Sequence, residues 1–348
     1  MHDFSFAVAS RAEEALAAVA RLGTMIVAGG TELLNWMRLG IAAPERIVDI
    51  GRMPGHGLIR QDGEQLTIGA LATLNEVGEH PAVRDRASVL AEACLKAASA
   101  QVRHRATLGG NVLQKTRCAY FRCEAPLPWG CNKRKPGSGC AAREGLNEHH
   151  AIFGWTDACV ATQPSDPAVA LACLDAVAEV IGPSGRRMLP MTAFHLTPAD
   201  AHDAAAAGRH RLQSAAHEAQ LETELAADEL ILAYHIVLRP GERSSYVKVR
   251  ERERESFEYA LVSAAAAVEI GDGRITRLRV ALGSVAQKPW RLGAAEAALI
   301  GKQALRDEVL PAIRAALARA RLLPHNGYKV ELAANAAARA IVAAGARP

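Results

Sequence analysis

Cys118, Cys123, Cys131 and Cys140 fall within 23 residues, with gaps of four, seven and eight between them. Four thiolates from so short a segment can wrap one iron–sulfur cubane, because soft sulfur suits iron. The stretch Arg117 to Cys140 also carries Pro126, Pro128, Pro136, Gly130, Gly137 and Gly139, which reads as loop rather than helix or strand. Two other readings stay open. Structural zinc usually draws on a CxxC knuckle, and none is present here. Disulfides staple exported folds too small to build a core, whereas this chain is long and half apolar. Cys94, Cys159 and Cys173 stand among Ala, Leu and Val and read as small buried apolar residues.

Two glycine pairs lie outside that window. A short strand, Met25 to Ala28, breaks into Gly29-Gly30-Thr31 before a helix that starts at Glu32. Backbone N–H groups at such a turn can approach a pyrophosphate with no Cβ in the way, although Gly-Gly is also a common plain turn. Further on, Thr107-Leu-Gly-Gly-Asn111 repeats the device. Gly109-Gly110 permits positive φ and close approach, while Thr107 and Asn111 offer polar side chains; a tight turn before the cysteine loop is the alternative. In Ser165-Asp166-Pro167 a cap and a first-turn proline explain the residues structurally. Asp166 there can equally meet a ribose or ribityl hydroxyl.

The elements that must position these residues follow from pattern. A length of 348 residues predicts two or three domains. Residues 1–54 read as a small α/β unit: a helix opened by a Ser10–Glu13 capping box and closed by Gly23, then the strand, turn and helix above, then the strand Ile47 to Ile50. Residues 55–230 open with a hairpin at Asp62-Gly63, continue with helices near 74–79 and 87–100, and contain the cysteine loop at about 115–145. Residues 231–348 read as a separate α+β unit of four strands, with a turn at Asp272-Gly273, and three helices. The stretch Asp200 to Leu225, with His202, His210 and His217, reads as surface helix or loop rather than a metal site. Arg250 to Glu255 reads as a solvated charge run. A net charge of +4 and 4% aromatic content argue against nucleic acid. No run of 18 apolar residues occurs, so no membrane insertion is expected, and the start lacks a basic stretch followed by an apolar one, so no export signal is expected.

Ala28 to Leu33, Thr107 to Asn111, Ser165-Asp166-Pro167, Tyr246-Val-Lys248-Val-Arg250, Ala281 to Arg291 and Asn326 to Leu332 together resemble the FAD-binding medium subunit of molybdenum hydroxylases, the xanthine dehydrogenase family, over almost the whole chain. The cysteine loop is similar to that of flavin subunits from periplasmic aldehyde oxidoreductases, where a [4Fe-4S] cluster accompanies FAD; flavin subunits of 4-hydroxybenzoyl-CoA reductases carry a related loop with a longer first gap. The resemblance implies an α+β fold, with a vanillyl-alcohol-oxidase-type (PCMH-type) FAD-binding domain in two α/β subdomains followed by a carbon-monoxide-dehydrogenase flavoprotein C-terminal-like domain. It implies that Ala28, Gly29, Gly30, Thr31, Glu32 and Leu33 line the FAD pyrophosphate, with Thr107, Gly110 and Asn111 completing the cradle. Asp166 would meet a flavin hydroxyl, Lys248 would lie near the isoalloxazine, and Cys118, Cys123, Cys131 and Cys140 would bind the cluster. Two departures stand out: the Asp200 to Leu225 connection is long, and the repeated Glu-Arg pairs after Lys248 look like a two-residue insertion.

By the same resemblance the molybdenum site lies on a large partner subunit and [2Fe-2S] clusters on a small one. This chain would carry electrons from them to an external acceptor while aldehydes become carboxylic acids, and no catalytic residue of its own is expected. The implied compartment is the periplasm, reached with a signal-bearing partner, with the cytoplasm as the alternative. Rival readings are a flavin subunit acting with another molybdenum hydroxylase, on an aromatic CoA thioester or a xanthine-like substrate, a stand-alone flavin oxidase, and a zinc-binding assembly module.

Overall fold

Short apolar runs separated by turns build three sheets. The computed structural model describes residues 2–206, 215–252 and 257–347; His210 and part of the Arg250 to Glu255 charge run lie outside them. In the first unit β1 (Ser5–Val8), β2 (Thr24–Val27) and β3 (Arg46–Asp49) run parallel in the order β1-β3-β2. Parallel neighbours require crossovers, supplied by the helices Ala12–Val19 and Leu33–Arg38. Strand β1 has no counterpart in the sequence reading: all four of its residues are exposed, so no buried face marks it. The expected Ser10–Glu13 capping box also differs. Ser10 donates through N–H and Oγ to Glu14 at 2.8 and 2.9 Å, and the helix has no side-chain cap. A complete box stands instead at Thr73 and Glu76.

The second unit is an antiparallel sheet of β4 (Ile59–Asp62), β5 (Gln65–Gly69), β6 (Val177–Gly182), β7 (Gly185–Pro190) and β8 (Leu230–Val237), ordered β4-β5-β8-β6-β7. Read from sequence as the start of the C-terminal unit, β8 is the central strand here. Its Tyr234 and Ile236 bury with Leu66 and Ile68 of β5 and with Leu90 and Leu171 from the helices Ser88–Lys96 and Asp166–Cys173.

In the third unit β9 (Arg243–Val249), β10 (Val262–Gly271), β11 (Arg274–Gly283) and β12 (Trp290–Arg291) form an antiparallel sheet, ordered β12-β11-β10-β9. The expected Asp272-Gly273 turn joins β10 to β11, both residues at positive φ. Strand β10 is buried on both faces. Ala264, Ala266 and Val268 meet the C-terminal helices through Ala337 and Ile341, whereas Ala265 and Ala267 join the core of the second unit. Alternation of side chains across a strand thus welds the two units.

The helix Tyr328–Gly345 also carries Lys329, fully buried. Its ammonium donates to the carbonyls of His149 at 3.2 Å, His150 at 3.0 Å and Ser284 at 2.5 Å. Burial pulls Lys329 down to about 7, and three carbonyl acceptors work against that pull. Asn326 adds a bond to the Ala151 carbonyl at 3.0 Å, so the last helix holds the segment that leaves the cysteine loop. Lys329→Met strands those buried carbonyls without a donor and should lower the unfolding free energy by about 3 kcal/mol, read from urea melts. An unchanged midpoint would show that the carbonyls find other partners.

Candidate functional site

After β2 the chain turns through Gly29 and Gly30, the latter at φ +75°. A Cβ on Gly29 would lie 1.8 Å from the Arg105 carbonyl oxygen, so no other residue fits. That contact brings the first glycine turn against the segment leading into Thr107, and both turns wall one cavity of about 830 Å³. Ala28, Gly29, Gly30, Thr31, Glu32 and Leu33 line one side; Thr107, Gly109 and Gly110 line the other. Helix Leu33–Arg38 has no side-chain cap, which leaves its first amides for a ligand. Trp36, also in the wall, buries its Nε1 donor without a partner.

The second glycine pair works differently from the expected positive-φ turn. Gly109 and Gly110 lie in the helix Leu108–Val112, capped by Thr107, whose Oγ1 accepts from the Gly110 N–H at 3.1 Å. Their small size serves packing: a Cβ on Gly109 would approach Ala70 at 3.1 Å. A third wall, Gln220 to Thr223, Leu225 to Ala227 and Glu229 to Ile231, spans the end of what the sequence reads as a surface insertion and the start of the expected strand at Leu230.

Asn111, Asp166 and Lys248 are not in the cavity lining. Asn111 accepts from the Ser165 hydroxyl at 2.7 Å. Asp166 is buried and accepts from Tyr246 Oη at 2.6 Å and from Lys248 Nζ at 2.7 Å. Burial, together with the Asp166 charge, pushes the Tyr246 phenol well up, so it stays a donor.

The cysteine loop is held to the cavity by charge. Glu32 accepts from Arg117 and, at 2.8 and 3.1 Å, from Arg122. Glu222 accepts from Lys115 and, at 2.7 Å, from Lys133. Burial alone would raise Glu222, but Lys133 and Lys115 beside it bring it down to about 2. Inside the loop, Cys131 and Cys140 face each other across a two-residue bridge, and Arg134 donates to the carbonyls of Phe121, Cys123 and Gly40 at 2.9, 3.0 and 3.1 Å.

The loop thiols have a neighbour outside the window: Cys159 is buried and packs in one small apolar cluster with Cys118, while Cys118 and Cys140 border another. Burial pushes Cys118 up to about 12, and His150 Nε2 lies 3.2 Å from its Sγ. Burial, with Lys329 nearby, holds His150 down at about 4, so the ring is neutral. Among the described residues no group of three or more His, Cys, Asp or Glu side chains is arranged to hold a single metal ion, and none of His202, His217 or their neighbours forms one.

A glycine-walled cavity and three α/β and α+β units of this order define a class. Residues 2–235 match the FAD binding domain in molybdopterin dehydrogenase, and residues 246–344 match the CO dehydrogenase flavoprotein C-terminal domain. The chain belongs to the FAD-binding subunits of the molybdenum hydroxylase family, which includes aldehyde oxidoreductases. Over 299 residues it is 42% identical to the aldehyde oxidoreductase FAD-binding subunit PaoB of Escherichia coli (strain K12), covering 85% of this chain and 86% of that one. Over 340 residues it is 27% identical to the carbon monoxide dehydrogenase medium chain of Hydrogenophaga pseudoflava, covering 96% and 94%. A solved carbon monoxide dehydrogenase from H. pseudoflava superposes with a TM-score of 0.71 at 25% identity, over 98% of this chain and 96% of that one.

The cavity fits the FAD that this family binds: open helix amides, a glycine that no Cβ can replace, and a buried unpartnered donor. Gly29→Ala should destabilise the chain by about 1–3 kcal/mol through overpacking and leave it with little flavin, read as FAD per purified chain; full flavin content would contradict the close-approach role. Glu222 predicts an acid limb. Its carboxylate stands below its ordinary 4.5, at about 2, so its stabilisation is complete above pH 4.5 and is lost as pH falls toward 2. Melting temperatures across that window should fall more steeply for the native chain than for Glu222→Gln.

Proposed function

We propose that this chain is the electron-transfer subunit of a molybdenum-dependent aldehyde oxidoreductase, with FAD in the glycine-walled cavity and a [4Fe-4S] cluster in the cysteine loop. The observation that carries this reading is the pairing of Cys131 with Cys140, with Cys118 and Cys140 bordering one small apolar cluster, in a loop salt-bridged to the cavity wall. In this assignment Cys118, Cys123, Cys131 and Cys140 supply the thiolates, and buried Cys159 lies beside Cys118. A cubane asks for thiolates spread around it, each on a different iron, which is a looser arrangement than the shell of a single ion. Two small apolar clusters flank the thiols: Trp155 and Val160 on the side of Cys118 and Cys140, Ala161 and Ala219 on the side of Cys159. Such surroundings shield a cluster from solvent.

FAD bound in the cavity would supply exchange between single electrons and pairs. The chain's own residues bind and orient it. Amides at the start of helix Leu33–Arg38 meet the diphosphate, Lys115 in the wall adds positive charge, and Trp36 offers its N–H. Asp166 and Lys248, paired to each other at 2.7 Å, anchor β9 to helix Asp166–Cys173.

The partners in this reading are a large subunit with the molybdenum cofactor and a small [2Fe-2S] subunit, and an external acceptor takes the electrons. Similarity to PaoB, named an aldehyde oxidoreductase subunit, favours aldehydes over other substrates of the family. We assign the complex to the periplasm, entered with a signal-bearing partner; its recovery in spheroplast lysate rather than the periplasmic fraction would overturn that assignment. The cluster is tested by iron analysis and visible absorbance of the purified chain. Cys123→Ser should lose nearly all of its iron and its broad visible absorbance. Full iron in Cys123→Ser would reject the ligand set.

A further inference from the structure

Charge joins the flavin cavity to the cysteine loop through two wall carboxylates, Glu32 and Glu222, and of the two it is Glu222 that reaches into the Cys131–Cys140 turn. Glu222 belongs to the cavity wall, and its carbonyl accepts from the Leu196 N–H at 2.9 Å. Its carboxylate is shared between Lys115, where the loop begins, and Lys133, inside the Cys131–Cys140 turn. The Lys133 side chain is only 3% exposed, and its ammonium also donates to the Ala219 carbonyl at 2.7 Å. With both its acceptors on the segment 219–222, Lys133 has little water to turn to if that segment moves. The lysine's neighbour Asn132 transmits its position further. Asn132 exchanges bonds with Gly139 at 2.8 and 2.9 Å and donates to the Ala158 carbonyl at 3.0 Å, beside Cys159.

We infer that Glu222 is a positioning residue that couples the two sites: a nucleotide that orders the 220–223 wall also orders the Lys133 turn and the thiols it carries, and ordering of the thiols favours the nucleotide in return. Reciprocity is required of any such coupling, and ordering alone can supply it. None of the four thiols lines the cavity, so a nucleotide can influence them only through intervening protein. The coupling rests on the cysteine-loop reading under "Proposed function" for its purpose, but the geometry of the strut stands apart from iron.

The test uses the full chain, freed of iron with a chelator, with and without saturating FAD. Alkylation of Cys131 and Cys140 by N-ethylmaleimide is followed by mass spectrometry. FAD should slow it about tenfold in the native chain, and should leave it nearly unchanged in Glu222→Gln and in Lys133→Met. The second variant keeps the cavity wall intact, so it reads the strut even if Glu222→Gln folds poorly. Equal protection in the native chain and in either folded variant overturns the coupling, as does absence of protection in the native chain. Iron measured in the untreated protein is the separate check on the cluster: an iron-free native chain would reject the cluster while FAD protection of the thiols would still establish the strut.

Discussion

The close contact of Gly29 with the Arg105 carbonyl governs the rest of the site. Two peptide backbones from different units meet where a methyl group would overlap an oxygen, and this sets the distance between the parallel sheet of the first unit and the helix Leu108–Val112 of the second. The cavity is the space left beside that contact. On the Gly29-Gly30 side the helix entered from Glu32 has no capping group of its own, whereas the amides of Gly109 and Gly110 are taken by Ala70 and Thr107. A diphosphate therefore meets donors that the fold has already paid to leave open.

The cysteine loop is secured by other means. It contains little regular structure, and the large cores of the second and third units include none of its four thiols. Glu32 and Glu222 grip it by Arg117, Arg122, Lys115 and Lys133, while Lys329 and Asn326 hold its outgoing end. Buried ion pairs of this kind contribute more to register than to net stability, since desolvation offsets much of their attraction. Registration is what a multi-thiol site needs, because every sulfur must arrive at its place together.

The Gly29-Gly30 turn, the hairpins at Asp62-Gly63 and Asp272-Gly273, and the cap at Ser165 were legible because each depends on a few adjacent residues. What depends on remote partners was not. Ser10 selects Glu14 over Glu13 according to where the helix begins, one residue later than the pattern suggested. Strand β8 reads like the strands that follow it, and only its pairing with β5 and β6 places it in the second sheet. Thr107 and the Gly109-Gly110 pair were recognised, but as a turn; the helix they form depends on contact with Ala70. Cys159 lies outside the cysteine window and looks like any small apolar residue until the chain folds back through the Thr156–Cys159 turn. Asp166 and Lys248 were expected at the flavin, and neither lines the cavity; their mutual pairing is a contact between residues far apart in the chain.

The place of β8 between β5 and β6 has a consequence for biosynthesis. Gly69 ends β5 and Leu230 begins its neighbour, so the middle sheet lacks its central member until most of the polypeptide has left the ribosome. Contacts so distant in sequence form slowly, and domains fold as units during synthesis. The last wall of the cavity, Gln220 to Ile231, arrives with the same strand. FAD can thus be sealed in only late in translation, after the whole cysteine loop has emerged.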